Sequence, residues 1–419
     1  MRPAVVRPRI AFHMAVLLLA VAALAPSARA LAAPARALAP PRLAARAAIL
    51  VDVRTGQVLY SSAANRQLAI ASATKLMTAL VTLARVPDRR TIFTQNDYRP
   101  AAVDSQIGLQ PGERMTVRDL LLAMLLPSAD DAAEDLAYNV GHGSVSRFIA
   151  MMNARAAQLK LAHTHYASPS GLDTPGNYSS ASDLAALARY LLTHQPFFAR
   201  AVALPAVTLE TGPVRRVTNR NDLVGRVPWI NGVKTGHTLQ AGYVLVGSGT
   251  RNGMTLISVV LDTPTQQARD ADTLALLRYG FANFHVVTPV RAGAVLARPS
   301  VRYRAGEHAL VIAASTFSGI FARATRITTR VDVPRQLAGP LPKDAVVGTA
   351  TVLADNRPIV RIPLLLARAL PAVSSLSRAA SFLTRPFTLL MLVLLVGTAV
   401  ATSVFRRQKT RARAAAASR

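Results

Sequence analysis

Apolar and small residues recur at helical spacing through Ala71-Ser72-Ala73-Thr74-Lys75-Leu76-Met77-Thr78-Ala79-Leu80, with no Gly or Pro before Ala84, which predicts a buried helix. Upstream, Ala48 to Val53 and Gln57 to Tyr60 read as two short strands across a turn at Arg54-Thr55-Gly56. Downstream, Thr116 caps a helical pattern from Val117 to Leu126 that stops at Pro127, and Ser128-Ala129-Asp130-Asp131 opens another from Ala132 to Val140. The pattern predicts further helices at 145–160 and 180–194, then strands at 201–210, 214–218, 232–238, 241–249 and 254–261. Thr273 to Phe284 closes the series as a helix. Strands, then helices, then strands again predict an α+β domain whose helices cover an antiparallel sheet.

From Val287 to Leu370 the pattern shifts to short alternating strands, such as Arg326 to Val333, and to a hairpin of Val346–Leu353 and Ile359–Leu366 about Asp355-Asn356. This predicts a small all-β domain. Phe387 to Phe405 carries no charge over 19 residues, long enough to cross a bilayer. Arg406, Arg407, Lys409, Arg411 and Arg413 follow at once, which places that end in the cytoplasm. At the other end, Arg2, Arg7 and Arg9 precede an apolar run from Met14 to Ala25 and a small-residue site at Ala28-Arg29-Ala30, the pattern of a secretory signal peptide. The expected organisation is a signal peptide (1–30), a linker (31–45), a catalytic domain (46–286) and a β domain (287–370). A second linker (371–386), a transmembrane helix (387–405) and a basic cytoplasmic tail (406–419) complete it. The catalytic part is then extracytoplasmic, on a single-pass anchor in the cell membrane.

Composition adds two restrictions. The formal charge of +28 is almost wholly arginine, but the arginines are scattered and no nucleic-acid motif accompanies them. Attraction to anionic envelope polymers or lipid head groups is the remaining electrostatic consequence. The chain has no cysteine, which excludes disulfides, thiol nucleophiles and thiolate metal sites. His163 and His165 lack an acidic partner at metal spacing, so no metal and no cofactor is assigned.

The candidate chemistry lies in three places. On a helix, Ser72 and Lys75 share a face three residues apart, and a lysine held neutral by its surroundings can take the proton of a serine hydroxyl. Of the five lysines (75, 160, 234, 343 and 409), only Lys75 has a serine three residues before it. Ser128, after the Pro-terminated helix, offers either a second hydroxyl or a plain N-cap. Lys234-Thr235-Gly236 offers a positive charge, a hydroxyl for a carboxylate, and a strand with no side chain where substrate approaches the backbone.

In this order, Ser-x-x-Lys, a Ser-x-Asn-like triplet and Lys-Thr-Gly resemble the signature of penicillin-recognising serine enzymes. The flanking residues narrow the resemblance to the D-alanyl-D-alanine carboxypeptidases, the low-molecular-mass penicillin-binding proteins. These are Gly112 to Leu121 leading into Leu126-Pro127-Ser128, Ser170-Gly171-Leu172-Asp173, Gly232 to Thr238, Ala241 to Val246 and Leu277 to Phe281. The resemblance covers about residues 46–290 and extends loosely over the β domain. It implies a β-lactamase/transpeptidase-like fold and an enzyme that removes the terminal D-alanine from peptidoglycan stem peptides and binds β-lactam antibiotics covalently. It further implies Ser72 as nucleophile, Lys75 as its base, Ser128 as proton relay, Lys234 and Thr235 as carboxylate binders, and the N–H groups of Ser72 and His237 as an oxyanion hole. Gly236, His237 and Asp130 fall at substrate-binding positions.

Three residues depart from the family pattern. Ile70 replaces a proline, Asn177 stands where a histidine is frequent, and Asp130 replaces the asparagine of the second motif. An ionised Asp130 cannot donate to a substrate carbonyl and is expected to pair with Lys75 or Lys234. Two other readings stay open: a class A-like β-lactamase, against which the β domain and membrane tail stand, and a non-catalytic binder of wall peptides with Asp130 marking lost activity. The chain has no Gly-x-Ser-x-Gly elbow, which disfavours an α/β-hydrolase.

Overall fold

The computed structural model describes residues 39–304, 306–375, 378–379, 382 and 386–417. The signal peptide expected over 1–30 and most of the 31–45 segment lie outside the described residues. The centre of the fold is a five-stranded antiparallel sheet in the order Val58–Ser62, Ala47–Asp52, Met254–Thr263, Gly242–Arg251, Ile230–Thr238. Its strands alternate apolar side chains to both faces because both faces are covered. Ile49, Val51, Val244, Val246, Ile257 and Val259 enter the larger core with helices Lys75–Arg85, Val117–Leu125, Asp130–Val140, Val145–Gln158 and Ala181–His194. Ala48, Leu50, Leu245, Leu256 and Val260 point the other way, onto helix Gln266–Asn283 through Leu276, Leu277 and Phe281.

Hydroxyls cap four of the helices, Thr116 among them as the pattern predicts. Thr116, Ser144, Ser180 and Thr265 each accept from the backbone N–H three residues on. Two boundaries differ from the expectation. The segment expected as a strand from 201 begins as helix Pro196–Val202, with proline at its first turn and Phe198, Ala201 and Val202 buried, and only Ala206–Thr208 is extended. The closing helix begins at Gln266 rather than Thr273, because its first two turns bury charge instead of apolar groups: Arg269 pairs with Asp270 at 2.8 Å.

The β-rich remainder forms a second five-stranded sheet, in the order Val295–Ala297, Val311–Ala313, Arg357–Leu366, Val346–Ala354, Ile327–Asp332, around Val311, Ala350, Val352, Ile362 and Leu364. The hairpin turns at Asp355 and Asn356, both at positive φ (46° and 65°), as a two-residue turn matched to strand twist requires. The boundary expected between 286 and 287 falls inside strand Phe284–Val290, which pairs with Phe317–Ala322. Phe284 and Val286 pack on the hydrophobic cluster behind the central sheet and Val290 on that of the second sheet, so one strand serves both. Helix Pro386–Ala417 includes the span Pro386–Thr410, which among the described residues is the one helix long and apolar enough to cross a membrane.

Asp119, fully buried, joins two segments far apart in sequence. One carboxylate oxygen accepts from the N–H groups of Glu210 (2.9 Å) and Thr211 (2.8 Å) and from the Thr211 hydroxyl (2.7 Å), while the other takes Arg118 at 2.8 Å. Asp119→Ala leaves these donors unmatched and is expected to cost about 3 kcal/mol. Thermal unfolding followed by circular dichroism checks this: the variant's midpoint falls by several degrees.

Candidate active site

The first site element is a strained turn. Ala71–Thr74 is a 3-10 turn that runs into helix Lys75–Arg85, with Ala71 at φ 46° immediately before Ser72. A non-glycine residue in that region costs energy and persists where neighbours hold it. Three groups hold it here. Asn177 donates to Thr74 Oγ1 at 3.0 Å, so the residue that departs from the family pattern braces the turn. Gly171, at φ 89°, lies so close that a Cβ would collide with the Ala71 carbonyl. Gly236 packs strand Ile230–Thr238 against the same turn: its Cβ would stand 3.0 Å from Ile70 O and 3.1 Å from the Ser72 backbone nitrogen. The glycine of Lys-Thr-Gly thus makes room for the Ser72 turn first, and only on its open side for a ligand.

Lys75 is completely buried beneath Ser72. Its ammonium donates to Ser72 Oγ at 2.9 Å, to Asp130 Oδ1 at 2.5 Å and to the Ser170 carbonyl at 2.6 Å. Burial pushes its pKa below the ordinary 10.5, and the Asp130 carboxylate opposes that shift. Ser128, at φ 69°, does not cap the following helix, whose N-cap is Ala129; its hydroxyl turns instead to Lys234 Nζ at 2.9 Å. Lys234 is also buried, donates to its neighbour's carbonyl Thr235 O at 3.0 Å, and lies well below its ordinary pKa, first through burial and then through the charges of Lys75 and Arg220.

These elements surround a cleft of about 480 Å³ lined by Ser72, Ser105, Ser128, Thr235, Gly236 and His237, with Tyr243, Arg220 and Arg269 beside them. The His237 ring stacks on Tyr243, centroids 4.0 Å apart. The structure therefore brings Ser72, Lys75, Ser128, Lys234, Thr235, Gly236 and His237 together. Asp130 is placed differently from a ligand-facing position. It is 2 % exposed, one oxygen holds Lys75, and the other accepts from the Ser105 N–H at 3.0 Å. The Asp130 N–H returns a bond to Ser105 O at 2.6 Å, so the residue links the lysine to the cleft wall.

Several participants had no signal in the sequence. Ser170 acts through its carbonyl, and a backbone acceptor leaves no residue-type signature. Arg220 and Arg269 are two arginines among many in an arginine-rich chain. Glu134, one helical turn beyond Asp130, is largely buried near Lys75, and burial raises its carboxyl to about 7 against the lowering effects of Ser170 and Lys75.

Comparison with known proteins shows the family to which the chain belongs. Residues 34–265 match the D-alanyl-D-alanine carboxypeptidase family model. The chain is 33% identical to the D-alanyl-D-alanine carboxypeptidase DacC of Escherichia coli K12, over 77% of this chain and 83% of that protein. It is 28% identical to DacF of Bacillus subtilis, over 76% and 84%. Among solved structures, penicillin binding protein 5 from Haemophilus influenzae superposes with a TM-score of 0.63 at 28% identity, covering 80% of this chain and 99% of that one. The Streptomyces K15 DD-transpeptidase superposes with a TM-score of 0.55 at 35% identity, covering 58% of this chain. The chain belongs to the D-alanyl-D-alanine carboxypeptidase family of serine peptidases.

Proposed function

We propose that this enzyme removes the terminal D-alanine from peptidoglycan stem peptides through an acyl-enzyme on Ser72, and that β-lactams acylate the same oxygen. The observation that carries the reading is the pair of lysine–serine contacts across one cleft: Lys75 to Ser72 and Lys234 to Ser128, both at 2.9 Å.

In this mechanism the terminal carboxylate lies against Thr235 and the positive side of the cleft, which Arg220 and Arg269 line, with Lys234 buried behind it. Neutral Lys75 takes the Ser72 proton as Oγ attacks the carbonyl carbon between the two D-alanines. Backbone N–H groups of Ser72 and His237 stabilise the oxyanion. The peptide C–N bond then breaks, and the departing amine receives through Ser128, whose hydroxyl Lys234 orients, the proton that Lys75 took, which leaves Lys75 neutral again. Water attacks the resulting ester, with Lys75 again accepting the proton, and frees Ser72. The penultimate peptide extends along the edge strand Ile230–Thr238, whose outer side has no partner within that sheet.

The helix Pro386–Ala417 supplies the anchor in this reading, with its arginine-rich end cytoplasmic and the cleft on the opposite side of the membrane. The test is direct. The full-length protein in detergent, incubated with a D-Ala-D-Ala-terminated stem peptide, releases free D-alanine and takes up fluorescent penicillin. Neither product nor label would leave a peptide-binding homologue, and rapid drug turnover without D-alanine release would favour a β-lactamase. Deleting residues 386–419 is expected to leave that activity intact and move the protein to the soluble fraction. A truncated protein that still sediments with membranes after a high-salt wash contradicts the single anchor.

A further inference from the structure

The reaction assigned to Ser72 leaves one substrate group without a partner. In an extended peptide paired to a strand, successive carbonyls point to opposite sides. When the scissile carbonyl turns to the N–H groups of Ser72 and His237, the amide carbonyl one residue earlier turns away from strand Ile230–Thr238. It then faces the wall built on the start of helix Asp130–Val140. Asp130 cannot meet it there. That side chain is 2 % exposed, and both of its oxygens are taken, one by Lys75 and the other by the Ser105 N–H.

The same wall carries a hydroxyl that is both open and unpaired. Ser105 lines the cleft together with Ser72, Ser128 and Thr235, is half-buried, and its Oγ has no hydrogen-bond partner among the described residues. Unlike the unpartnered hydroxyls of Ser248 and Ser258, which are sealed in the core, this oxygen keeps access to the cleft. Its backbone is fixed on both sides: the N–H donates to Asp130 Oδ2 at 3.0 Å, and the carbonyl accepts from the Asp130 N–H at 2.6 Å. The flanking chain is held as well. Asp104 accepts from the Ala101 N–H at 2.8 Å, and Asp131 Oδ2 accepts from the N–H groups of Ile107, Gly108 and Leu109 at 3.1, 3.0 and 3.0 Å. A donor placed in this way needs little ordering when a ligand arrives.

We infer that Ser105 is a substrate-binding residue whose hydroxyl donates to the amide carbonyl preceding the penultimate residue of the peptide, the bond that Asp130 forgoes by holding Lys75. The other hydroxyls of the cleft have other work: Ser72 attacks, Ser128 is held by Lys234 at 2.9 Å, and Thr235 faces the terminal carboxylate. The His237 ring is stacked on Tyr243. A serine hydroxyl rotates to suit its acceptor and carries no charge, so it reaches a neutral carbonyl without repelling the anionic end of the substrate. One carboxylate thereby sets two things at once, the catalytic lysine through Oδ1 and the placement of the donor through Oδ2. The inference rests on the acyl transfer assigned to Ser72 and deepens it.

The test compares acylation of the full-length protein in detergent by two β-lactams. Benzylpenicillin bears an acylamino group whose carbonyl stands where the peptide has its preceding amide carbonyl. Aminopenicillanic acid is the same bicyclic nucleus with a free amine and no such carbonyl. Ser105→Ala is expected to lower the second-order acylation constant for benzylpenicillin about fivefold, the size of one neutral hydrogen bond, and to leave that for aminopenicillanic acid within about twofold. The thermal midpoint is expected to be unchanged, because the lost hydroxyl has no protein partner and alanine keeps both backbone bonds to Asp130. Equal losses with the two compounds overturn the proposal, by making the hydroxyl a general part of the wall, and so does undiminished acylation by benzylpenicillin. A wild type that neither compound acylates overturns the reaction assigned to Ser72 and the role of Ser105 with it, so the two failures are told apart.

Discussion

Ser72→Ala is expected to abolish covalent labelling by fluorescent penicillin and to lower D-alanine release by a factor on the order of 10⁴ or more. The size follows from the site's construction. Ser72 Oγ is the hydroxyl held by Lys75, at 2.9 Å, on a turn braced from three sides. Nothing else in the cleft combines an exposed oxygen with a buried amine directly beneath it. Ser128 has its own lysine, Lys234, at 2.9 Å, but only 3 % of the serine's surface is exposed. Substrate affinity is expected to survive, because Thr235, Arg220 and Arg269 remain. The expected result is loss of turnover with peptide binding intact, read by labelling gels, D-alanine assay and calorimetry. Label transferred to Ser128 in the alanine variant would reverse the two serines' roles.

That site was legible in the sequence where chemistry coincides with a repeat distance. Ser72 and Lys75 are three apart, so any helical turn places them together, and an alternating strand around Lys234-Thr235-Gly236 fixes which side chains share a face. The central sheet was legible for the same reason: Ile49, Val51, Val244 and Val246 alternate with residues bound for the other core. What stayed hidden depends on tertiary approach. The reason for Gly171 is a carbonyl a hundred residues away, at Ala71. Arg269 lies in a helix whose first turns bury charge and so lack apolar periodicity. Asp130 was visible as an anomaly, but its partner was a choice between two lysines, and only the packing of helix Asp130–Val140 against the Ser72 helix selects Lys75.

The substitution Asp130→Asn is expected to speed acylation near neutral pH and to destabilise the folded protein in acid. Two influences act on Lys75: burial favours the neutral amine, and the Asp130 carboxylate at 2.5 Å favours the ammonium. An asparagine removes the second influence. Its Oδ1 can keep the Ser105 N–H that Asp130 Oδ2 accepts, at 3.0 Å in the present structure, while its Nδ2 donates to a neutral Lys75. The amide therefore selects the base form that takes the Ser72 proton. More of the variant is competent at neutral pH, and the advantage narrows as rising pH deprotonates the wild-type lysine as well. Stability moves with the opposite sign. Because the folded pKa of Lys75 is depressed, the unfolded chain binds more protons between the folded and unfolded values, and stability rises with pH across that window. Removing the carboxylate depresses the folded value further and carries the window to lower pH. Wild type stops losing stability once its buried ammonium forms beside Asp130, whereas the variant, with no such partner, goes on losing it. The gap between them thus opens as pH falls through the wild-type folded pKa of Lys75, and reaches about 3–5 kcal/mol where both lysines are charged. Stopped-flow acylation and denaturant unfolding, each run over about pH 5–9 where perturbed catalytic groups titrate, read the two effects separately. A variant that acylates no faster than wild type at any pH, while losing stability in acid, would make the Asp130–Lys75 pair an adapted part of this base rather than a restraint on it.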